Sequence, residues 1–266
     1  MLKTLNNIRL LDDLARGETY LHRLHPLAKL LVILVFLVSI ISFDRYEVMG
    51  LLPFGIYPIY LLVTSDSPIK PILMRVFLVA PFVISIGILN PIFDRGIIII
   101  DGFAFSRGWL TFFSILVKSI LTISVGIMLI ATTGIEKLSG ALRALKIPKV
   151  FVLQILLTYR YISVLIEEVG RMQRAYALRA PGQKGIQRSA WGSFAGQLIL
   201  RTFERAQRVY ESMILRGFDG DYQTGESKKM NLQDVLFVFG WCAFFILSRT
   251  INLPLLIGNI LTGVIR

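Results

Sequence analysis

Residues 149–180 read KVFVLQILLTYRYISVLIEEVGRMQRAYALRA, and this stretch indicates the fold class. It contains no proline and a single glycine, Gly170, so little in it interrupts a helix. At about 1.5 Å per residue such a helix reaches roughly 48 Å, which exceeds the ~30 Å hydrocarbon core of a bilayer. Residues 150–166 carry Arg160 as their one charge, whereas residues 167–179 are charged. The pattern predicts a helix that begins in or on a membrane and projects into the cytoplasm.

A second long helix is predicted from residue 185 to residue 217, joined to the first by residues 181–184. Apolar and small residues recur in it at steps of four and three, as in a heptad-like seam. The seam consists of Ile199, Phe203, Ala206, Tyr210, Met213 and Gly217. Charged residues occupy the positions between them. We therefore expect the two long helices to pack as a hairpin, preceded by a short basic amphipathic helix from Ile135 to Leu145.

The composition of the whole chain indicates a membrane protein. Of its 266 residues, 55% are hydrophobic and 17% are charged, against roughly 45–50% and about 25% in ordinary soluble domains. The 29 Lys and Arg residues exceed the 17 Asp and Glu residues, which gives a net charge of +12. A nucleic-acid binder shares the high basic charge but does not need apolar runs of membrane length. We therefore expect a basic cytoplasmic face and no nucleic-acid partner.

Several apolar segments are candidates to cross the membrane. Four meet the length test: Pro26 to Phe43, Ile69 to Phe93, Trp109 to Thr132, and Asn231 to Leu247. Val48 to Val63 contains Pro53, Gly55 and Pro58, so it is predicted to cross as a short, kinked or broken helix. Ile251 to Ile265 is a possible sixth segment. Residues 94–108 are predicted to form a short extended or interfacial loop.

The fold class predicted from these segments is an all-α integral membrane protein. It has about five transmembrane helices, with a range of four to six, and a long cytoplasmic helical hairpin. The predicted domains are a cytoplasmic N-terminal segment (1–25), transmembrane helices 1–4 (26–132), a cytoplasmic or interfacial region (133–229) and a C-terminal transmembrane part (230–266). Residues 1–25 lack the pattern of a cleavable signal, so the N-terminus is expected in the cytoplasm of a multi-pass cell-membrane protein.

Two similar triplets stand near the ends of the two long helices. They are Leu178-Arg179-Ala180 and Leu215-Arg216-Gly217. A small residue lets the backbone of a partner approach, and a guanidinium makes charge-assisted bonds to a carboxylate. The same residues also suit simple helix termination, because a cation stabilises the C-terminal dipole and glycine adopts the left-handed conformation. Docking and capping both remain open from the triplets alone.

Other polar residues are interpreted as structural. His22 and His25 are three residues apart, but without a nearby cysteine or carboxylate pair they make an incomplete metal site, so no metal and no cofactor is predicted. The single cysteine, Cys242, excludes an intrachain disulfide. Glu167 and Glu168 are adjacent, so their carboxylates point about 100° apart on a helix and cannot flank a substrate together. Salt bridges of Glu167 and Glu168 with Arg160, Arg171 or a partner are predicted instead, with Glu167 in reach of Arg160. A second ion pair is predicted between Glu204 and Arg208.

The layout resembles the transmembrane T component of energy-coupling factor (ECF) transporters, most closely the cobalt/nickel type often called CbiQ. The resemblance rests on the stretch Leu21-His22-Arg23-Leu24-His25-Pro26 with Lys29, and on stretches between Tyr159 and Tyr222. These include Tyr159-Arg160-Tyr161, Glu167-Glu168 to Arg171-Met172, Leu200-Arg201 to Tyr210, and Met213 to Gly220. The match covers nearly the whole chain, and several separate motifs agree.

The resemblance implies that two short Ala-Arg-Gly-like motifs end cytoplasmic coupling helices. These helices dock on two ATPase subunits, while the membrane helices hold a substrate-binding S component. The motif arginines would be Arg179 and Arg216. Leucines 178 and 215 replace the usual small first residue, and Ala180 replaces glycine, so the two contacts are expected to be unequal. The chain itself would be non-catalytic, and it contains no G-x-x-x-x-G-K-[ST] phosphate loop.

Three alternatives differ in the substrate or the class of protein. If the chain is a T component of the cobalt/nickel type, the transported ion is cobalt or nickel. A T component that serves vitamin-type S components has nearly the same sequence features. An intramembrane enzyme would need clustered acids, histidines or a nucleophile at one depth, and the predicted spans are nearly bare of them.

Overall fold

The structure is a computed structural model that describes residues 15, 17–66, 68–94, 96–100, 103–183, 185–220 and 230–250. In chain order its elements are α1 (Tyr20–Arg23), α2 (Pro26–Ile41), a 3₁₀ helix (Met49–Gly55), α3 (Ile56–Ser65), α4 (Ile69–Gly87), α5 (Leu89–Phe93), β1 (Ile97–Ile100), β2 (Phe103–Ser106), α6 (Arg107–Thr133), α7 (Ile135–Ala144), α8 (Lys149–Arg179), a 3₁₀ turn (Arg188–Ala190), α9 (Trp191–Leu215) and α10 (Leu232–Thr250).

The described residues form two compact units. The membrane unit comprises residues 15–134 and 230–250, and the hairpin unit comprises residues 135–220. The chain passes from the first to the second at Gly134, whose φ of +74° favours glycine. The predicted C-terminal segment, Ile251 to Ile265, lies outside the described residues, as does the N-terminal stretch 1–14.

The helices confirm an all-α membrane protein. Four are long and apolar enough to cross a bilayer: Ile69–Phe93, Arg107–Thr133, Lys149–Arg179 and Leu232–Thr250. Large side chains on α4, such as Phe77 and Phe82, are exposed, as expected on a lipid-facing helix.

Three segments differ in detail from their predicted form. Helix α2 ends at Ile41, so at 16 residues and roughly 24 Å it is shorter than the predicted span 26–43. Residues 49–65 form a 3₁₀ turn around Pro53 that runs into α3, which confirms the predicted broken helix. The predicted loop at 94–108 contains an antiparallel hairpin that pairs Ile97 with Ser106 and Ile100 with Phe103.

Aromatic side chains form the core of the membrane unit. The ring of Phe245 from α10 lies 5.3 Å from Phe36 of α2 and 5.6 Å from Phe54 of the 3₁₀ helix, measured between centroids. Tyr57 of α3 lies 5.2 Å from Phe36, and all four side chains are fully buried. Offset and tilted aromatic contacts of this kind stabilise packing beyond the buried area. The core therefore fixes α2, the 3₁₀ helix, α3 and α10 together.

Polar bonds at the ends of α2 set the helix directions. At its start, the backbone N–H of His25 donates to the Asp234 carboxylate at 2.7 Å, so α10 begins beside α2. Lys29 Nζ donates to the Thr132 carbonyl at 2.9 Å, so α6 ends there. At the other end, Lys118 Nζ donates to the Phe43 carbonyl at 2.7 Å. Helix α6 therefore ends, and α10 begins, at the same end of the membrane unit.

Candidate coupling surface

The two long helices of the hairpin unit face each other through part of the predicted seam of α9. Ala206, Tyr210 and Met213 of that seam line the space between α8 and α9. Ile199 and Phe203 are 68% and 63% exposed, so the prediction that these two residues belong to the packing face is wrong. Thr202 and Val209, outside the predicted seam, line the same space. Periodicity alone could not choose between these positions.

An apolar cavity of about 360 Å³ remains open between α8 and α9. Leu157, Tyr161 and Leu165 line it from α8, and Val209 and Met213 line it from α9. Since close packing leaves few voids of this size, the hairpin is less tightly filled than a protein core. The two helices therefore touch along part of their length.

A carboxylate connects the two helices across this interface. Glu168 of α8 bonds to Arg171 one turn along the same helix, and its second oxygen accepts from Arg201 Nη1 of α9 at 2.7 Å. The bonds from Arg171 and then Arg201 hold the pKa of the Glu168 carboxyl below its usual range. The Glu168 side chain is 15% exposed and lies beyond the apolar residues 149–166. It stays ionised and joins the helices near their middle.

The sequence did not reveal this bridge. Glu168 and Arg201 both lie in stretches that carry the family resemblance, but they are 33 residues apart. The signal was their opposite charge on two helices expected to pack. The register between those helices depends on the tertiary structure, so the pair could not be named from sequence.

The end of α9 is a complete Schellman motif. The Phe218 N–H donates to the Met213 carbonyl at 3.0 Å, and the Gly217 N–H donates to the Ile214 carbonyl at 2.9 Å. Gly217 has a φ of +79°, as the motif requires. Met213 and Phe218 line the same apolar cavity, which supplies the hydrophobic contact that accompanies the motif. The capping interpretation of Gly217 is therefore correct.

The end of α8 is different. Helix α8 ends at Arg179, and Ala180 follows with a φ of −127°, an ordinary extended value. The Ala180 N–H donates to the Tyr176 carbonyl at 3.0 Å, and the left-handed residue comes later, at Gly182 with a φ of +90°. Helix α9 thus ends in a compact cap, whereas α8 is followed by a turn.

Both helix ends nevertheless present the same pair of side chains. Leu178 is 84% exposed and Leu215 is 87% exposed. Arg179 and Arg216, which follow them, are exposed as well. An exposed leucine beside an exposed arginine offers an apolar contact and a bidentate donor at one place. Capping explains Gly217, but it does not explain why a large apolar side chain stands in solvent at each end.

The predicted ion pairs lie along the same helices. Glu204 Oε2 and Arg208 Nη1 are 3.8 Å apart, with both side chains largely exposed. The pairing of Arg160 with Glu167 stays a prediction. At this level of α8, the bridge described above is made by the neighbouring Glu168.

The histidines of the N-terminal motif have structural bonds. His22 is buried, and its Nδ1 lies 2.6 Å from the Thr19 hydroxyl oxygen. His25 Nδ1 accepts from the Leu27 N–H at 3.2 Å and caps the start of α2. Among the described residues, no three His, Cys, Asp or Glu side chains come together as a metal site. The motif thus organises the start of α2.

Asp234 is a structural residue that the sequence reasoning missed. Besides the His25 N–H, its carboxylate accepts the Asn231 N–H at 2.8 Å, while Asn231 Oδ1 accepts from Leu232. An acid three residues after an asparagine at a helix start is the pattern of a capping box, so this signal was present.

The fold is that of an all-α membrane protein whose two long helices each end with an exposed leucine and arginine. The comparison with protein families agrees, since the family model for CbiQ, cobalt transport protein, matches residues 17–227. This chain belongs to the CbiQ cobalt transport protein family. It therefore works as a membrane-embedded transport component together with other subunits.

Three archaeal relatives extend this comparison. The uncharacterized protein MJ1571 of Methanocaldococcus jannaschii is 23% identical over 72% of this chain and 70% of its own length. The uncharacterized protein MJ1089 of the same organism is 29% identical over 44% of each chain. A putative fused cobalt transport protein, CbiMQ, of Methanocorpusculum labreanum is 34% identical over 34% of this chain and 15% of its own length.

Proposed function

We propose that this chain is the T component of an ECF-type transporter. It transmits ATP-driven motion of two ATPase subunits to a substrate-binding S component, and it catalyses no reaction itself. The observation that carries the proposal is the exposed Leu-Arg pair at the end of each long helix. Leu178 and Arg179 form one contact, and Leu215 and Arg216 form the other. Ala180 and Gly217 let the backbone of an ATPase subunit approach.

The transported ion is cobalt or nickel. Family membership and the name of the fused relative support cobalt. Helix α6 ends and α10 begins at the same end of the membrane unit, which supports one side of the membrane, the cytoplasm, for the residues between them. The basic charge of residues 136–229, 16 Lys and Arg against 8 Asp and Glu, supports the same side.

Transmission rests on the stiffness of the two helices and on the bridge between them. Glu168 lies 11 residues before Arg179, which is roughly 16 Å along α8. Arg201 lies 15 residues before Arg216, roughly 22 Å along α9. Because Glu168 joins the helices at these points, a displacement of one helix end shifts the other helix as well. The two long helices then move together.

The test replaces both motif arginines with glutamate, Arg179→Glu with Arg216→Glu, in the tagged full chain within its native membranes. We expect at least a tenfold loss of co-purified ATPase subunits and of cobalt uptake, because the reversed charge repels the carboxylates that the arginines bind. The matched control is Arg174→Glu with Arg188→Glu, which makes the same charge change on exposed residues of the same unit.

The control should retain ATPase subunits and uptake at the wild-type level. Equal retention by the motif variant, at an equal amount of chain in the membrane, would show that the helix ends do not dock the ATPases. Equal loss by the control would show that the total charge of the unit matters and the motifs do not.

A further inference from the structure

The membrane unit contains an open apolar cavity that the proposed coupling mechanism does not use. It has a volume of about 760 Å³ and lies between α4 and α6. Leu73, Phe77 and Ala80 line it from α4, and Leu116, Ile120 and Ile123 line it from α6. Such an opening between two membrane helices exposes apolar surface to the hydrocarbon phase and must be filled in a bilayer.

The packing of α4 on α6 shows which end of the cavity lies toward the end of α6. Gly87, near the end of α4, lies so close to Phe112 that an added Cβ would come within 2.8 Å of that ring. Ile69, at the start of α4, lines the cavity together with Ile123. The two helices are therefore antiparallel. The start of α4 lies toward the end of α6, where the chain passes into the hairpin unit.

One charged residue lines this cavity, and it lies at that end. Lys70 is exposed and follows directly on Ile69, whereas the other lining residues are apolar except for Ser119. From Lys70 to Val83 the cavity follows α4 for 13 residues, about 20 Å. This is about two thirds of the ~30 Å hydrocarbon core, and it exceeds the roughly 15 Å that one leaflet contributes.

The lining favours a flexible chain over a further helix. Helices pack closely in membranes where small residues line the contact, as in small-xxx-small patterns. Here Ala80 and Ser119 are the small residues of the lining, and side chains such as Met74 and Phe77 project strongly from α4. A flexible acyl chain fills such an irregular surface without requiring close backbone approach.

We propose that this cavity binds an anionic phospholipid from the leaflet at the end of the membrane unit where α6 ends. The Lys70 ammonium binds the headgroup phosphate, and one acyl chain lies between α4 and α6. Basic sites between membrane helices on the cytoplasmic side are typical places for anionic headgroups. The occupied cavity would support α4, which otherwise packs mainly against α6.

The experiment titrates the purified, delipidated full chain in neutral detergent with phosphatidylglycerol or with phosphatidylcholine. Native mass spectrometry measures the bound lipid, and thermal unfolding measures the stabilisation. We expect phosphatidylglycerol to bind at least fivefold more tightly than phosphatidylcholine. Lys70→Gln should remove that preference, and Ala80→Trp, which blocks the cavity, should weaken both lipids. Lys137→Gln removes an exposed lysine of the hairpin unit and should bind as wild type does.

Several results would overturn the proposal. Equal affinity for the two lipids would exclude a preference for an anionic headgroup, and an unchanged preference in Lys70→Gln would exclude Lys70 as its source. The same loss in Lys137→Gln would indicate a general effect of charge. Failure of both lipids to bind would leave the cavity to a helix of a protein partner. Stabilisation by glycerol phosphate, which has the headgroup chemistry without acyl chains, would show a simple anion site.

Discussion

Two buried charged side chains of the membrane unit contrast with the exposed arginines of the hairpin unit. In the membrane unit, Lys29 is 4% exposed and Asp234 is 5% exposed, and both bond to backbone groups of other helices. In the hairpin unit, Arg201 is 53% exposed although it forms the bridge to Glu168. Removing one partner of a buried charge leaves the other uncompensated, whereas exposed pairs contribute little to stability.

This difference separates two kinds of residue. Substitutions of polar groups in the membrane unit should reduce stability, and function is then lost because the protein unfolds. Substitutions of charged groups in the hairpin unit should leave the fold intact and act on binding to partners. The predictions below test this separation, beginning with the largest expected effect on unfolding.

The largest effect is expected for Phe245→Ala in the aromatic core. Phe245 is fully buried against Phe36 and Phe54, so its removal leaves a cavity that rigid neighbours cannot fill. We expect a loss of about 3 kcal/mol in the free energy of unfolding, measured in mixed detergent micelles. Phe239→Ala on the same helix, at an exposed position, is the matched control and should change it by less than about 0.5 kcal/mol. Similar losses in both would contradict the assignment of the core.

A smaller loss is expected for Asp234→Ala at the start of α10. The substitution leaves the N–H groups of His25 and Asn231 without an acceptor in a buried site. We expect about 2 kcal/mol, measured in the same unfolding assay. Asp234→Asn keeps one acceptor oxygen and should retain part of that free energy. If Asp234→Ala unfolds as the wild type does, buried polar bonds do not hold α2 and α10 together.

The two helix ends should respond unequally to a change of their small residue. Gly217→Ala places a Cβ on a residue with a φ of +79°, so we expect a loss of roughly 1 kcal/mol and weaker ATPase co-purification. Ala180→Gly changes a residue with an ordinary φ of −127°, so it adds no strain to the folded state and should cost less, through the greater entropy of the unfolded chain. Nothing lies within 4 Å of a Cβ on Gly217, so the expected cost is conformational. Equal effects at the two ends would contradict the inequality of the caps.

The bridge between the long helices should alter transmission more than stability. In Glu168→Gln the charge that accepts from Arg201 is lost. We expect the distance between spin labels on α8 and α9 to broaden, with ATPase binding retained and uptake reduced severalfold. Glu204→Gln on the same unit is the control, and an unchanged uptake there would locate the effect at the bridge.

The same bridge has a defined pH dependence. The folded-state pKa of Glu168 is lower than its ordinary value of 4.5, so the contribution of the bridge is complete above that value. It is lost as the pH falls through the lower folded-state pKa. A label distance that broadens well above pH 4.5 would show that another group controls the hairpin.

The smallest effect on the free energy of unfolding is expected for the exposed pair of Glu204 and Arg208, each replaced by alanine singly and together. These side chains are 62% and 65% exposed and stand 3.8 Å apart. Exposed pairs at this helical spacing contribute about 0.3–0.5 kcal/mol at most. A double-mutant cycle in the unfolding assay measures the value. A coupling free energy above about 1 kcal/mol would contradict the expectation that exposed ion pairs of the hairpin unit contribute little to stability.

Local patterns predicted most of the helices, because each depends on residues close together in the chain. Helix α8 was predicted from residue 149 to residue 180 and extends from Lys149 to Arg179. Helix α9 was predicted from residue 185 but begins at Trp191, after a 3₁₀ turn. The strands β1 and β2 were predicted only as an extended loop. A four-residue β-branched run suggests a strand but does not show which segment pairs with it.

The sequence by itself determined the membrane class, the long helices and the position of both arginine motifs, because hydrophobic length and helical periodicity are local properties. Only the tertiary structure decided which face of α9 contacts α8, which carboxylate bridges them, and how Lys29 and Asp234 are bonded. These outcomes depend on the register between helices that are far apart in the chain. Two adjacent glutamates were available for the bridge, and positions inside and outside the predicted seam of α9 were available for the contact, so packing had to select among them.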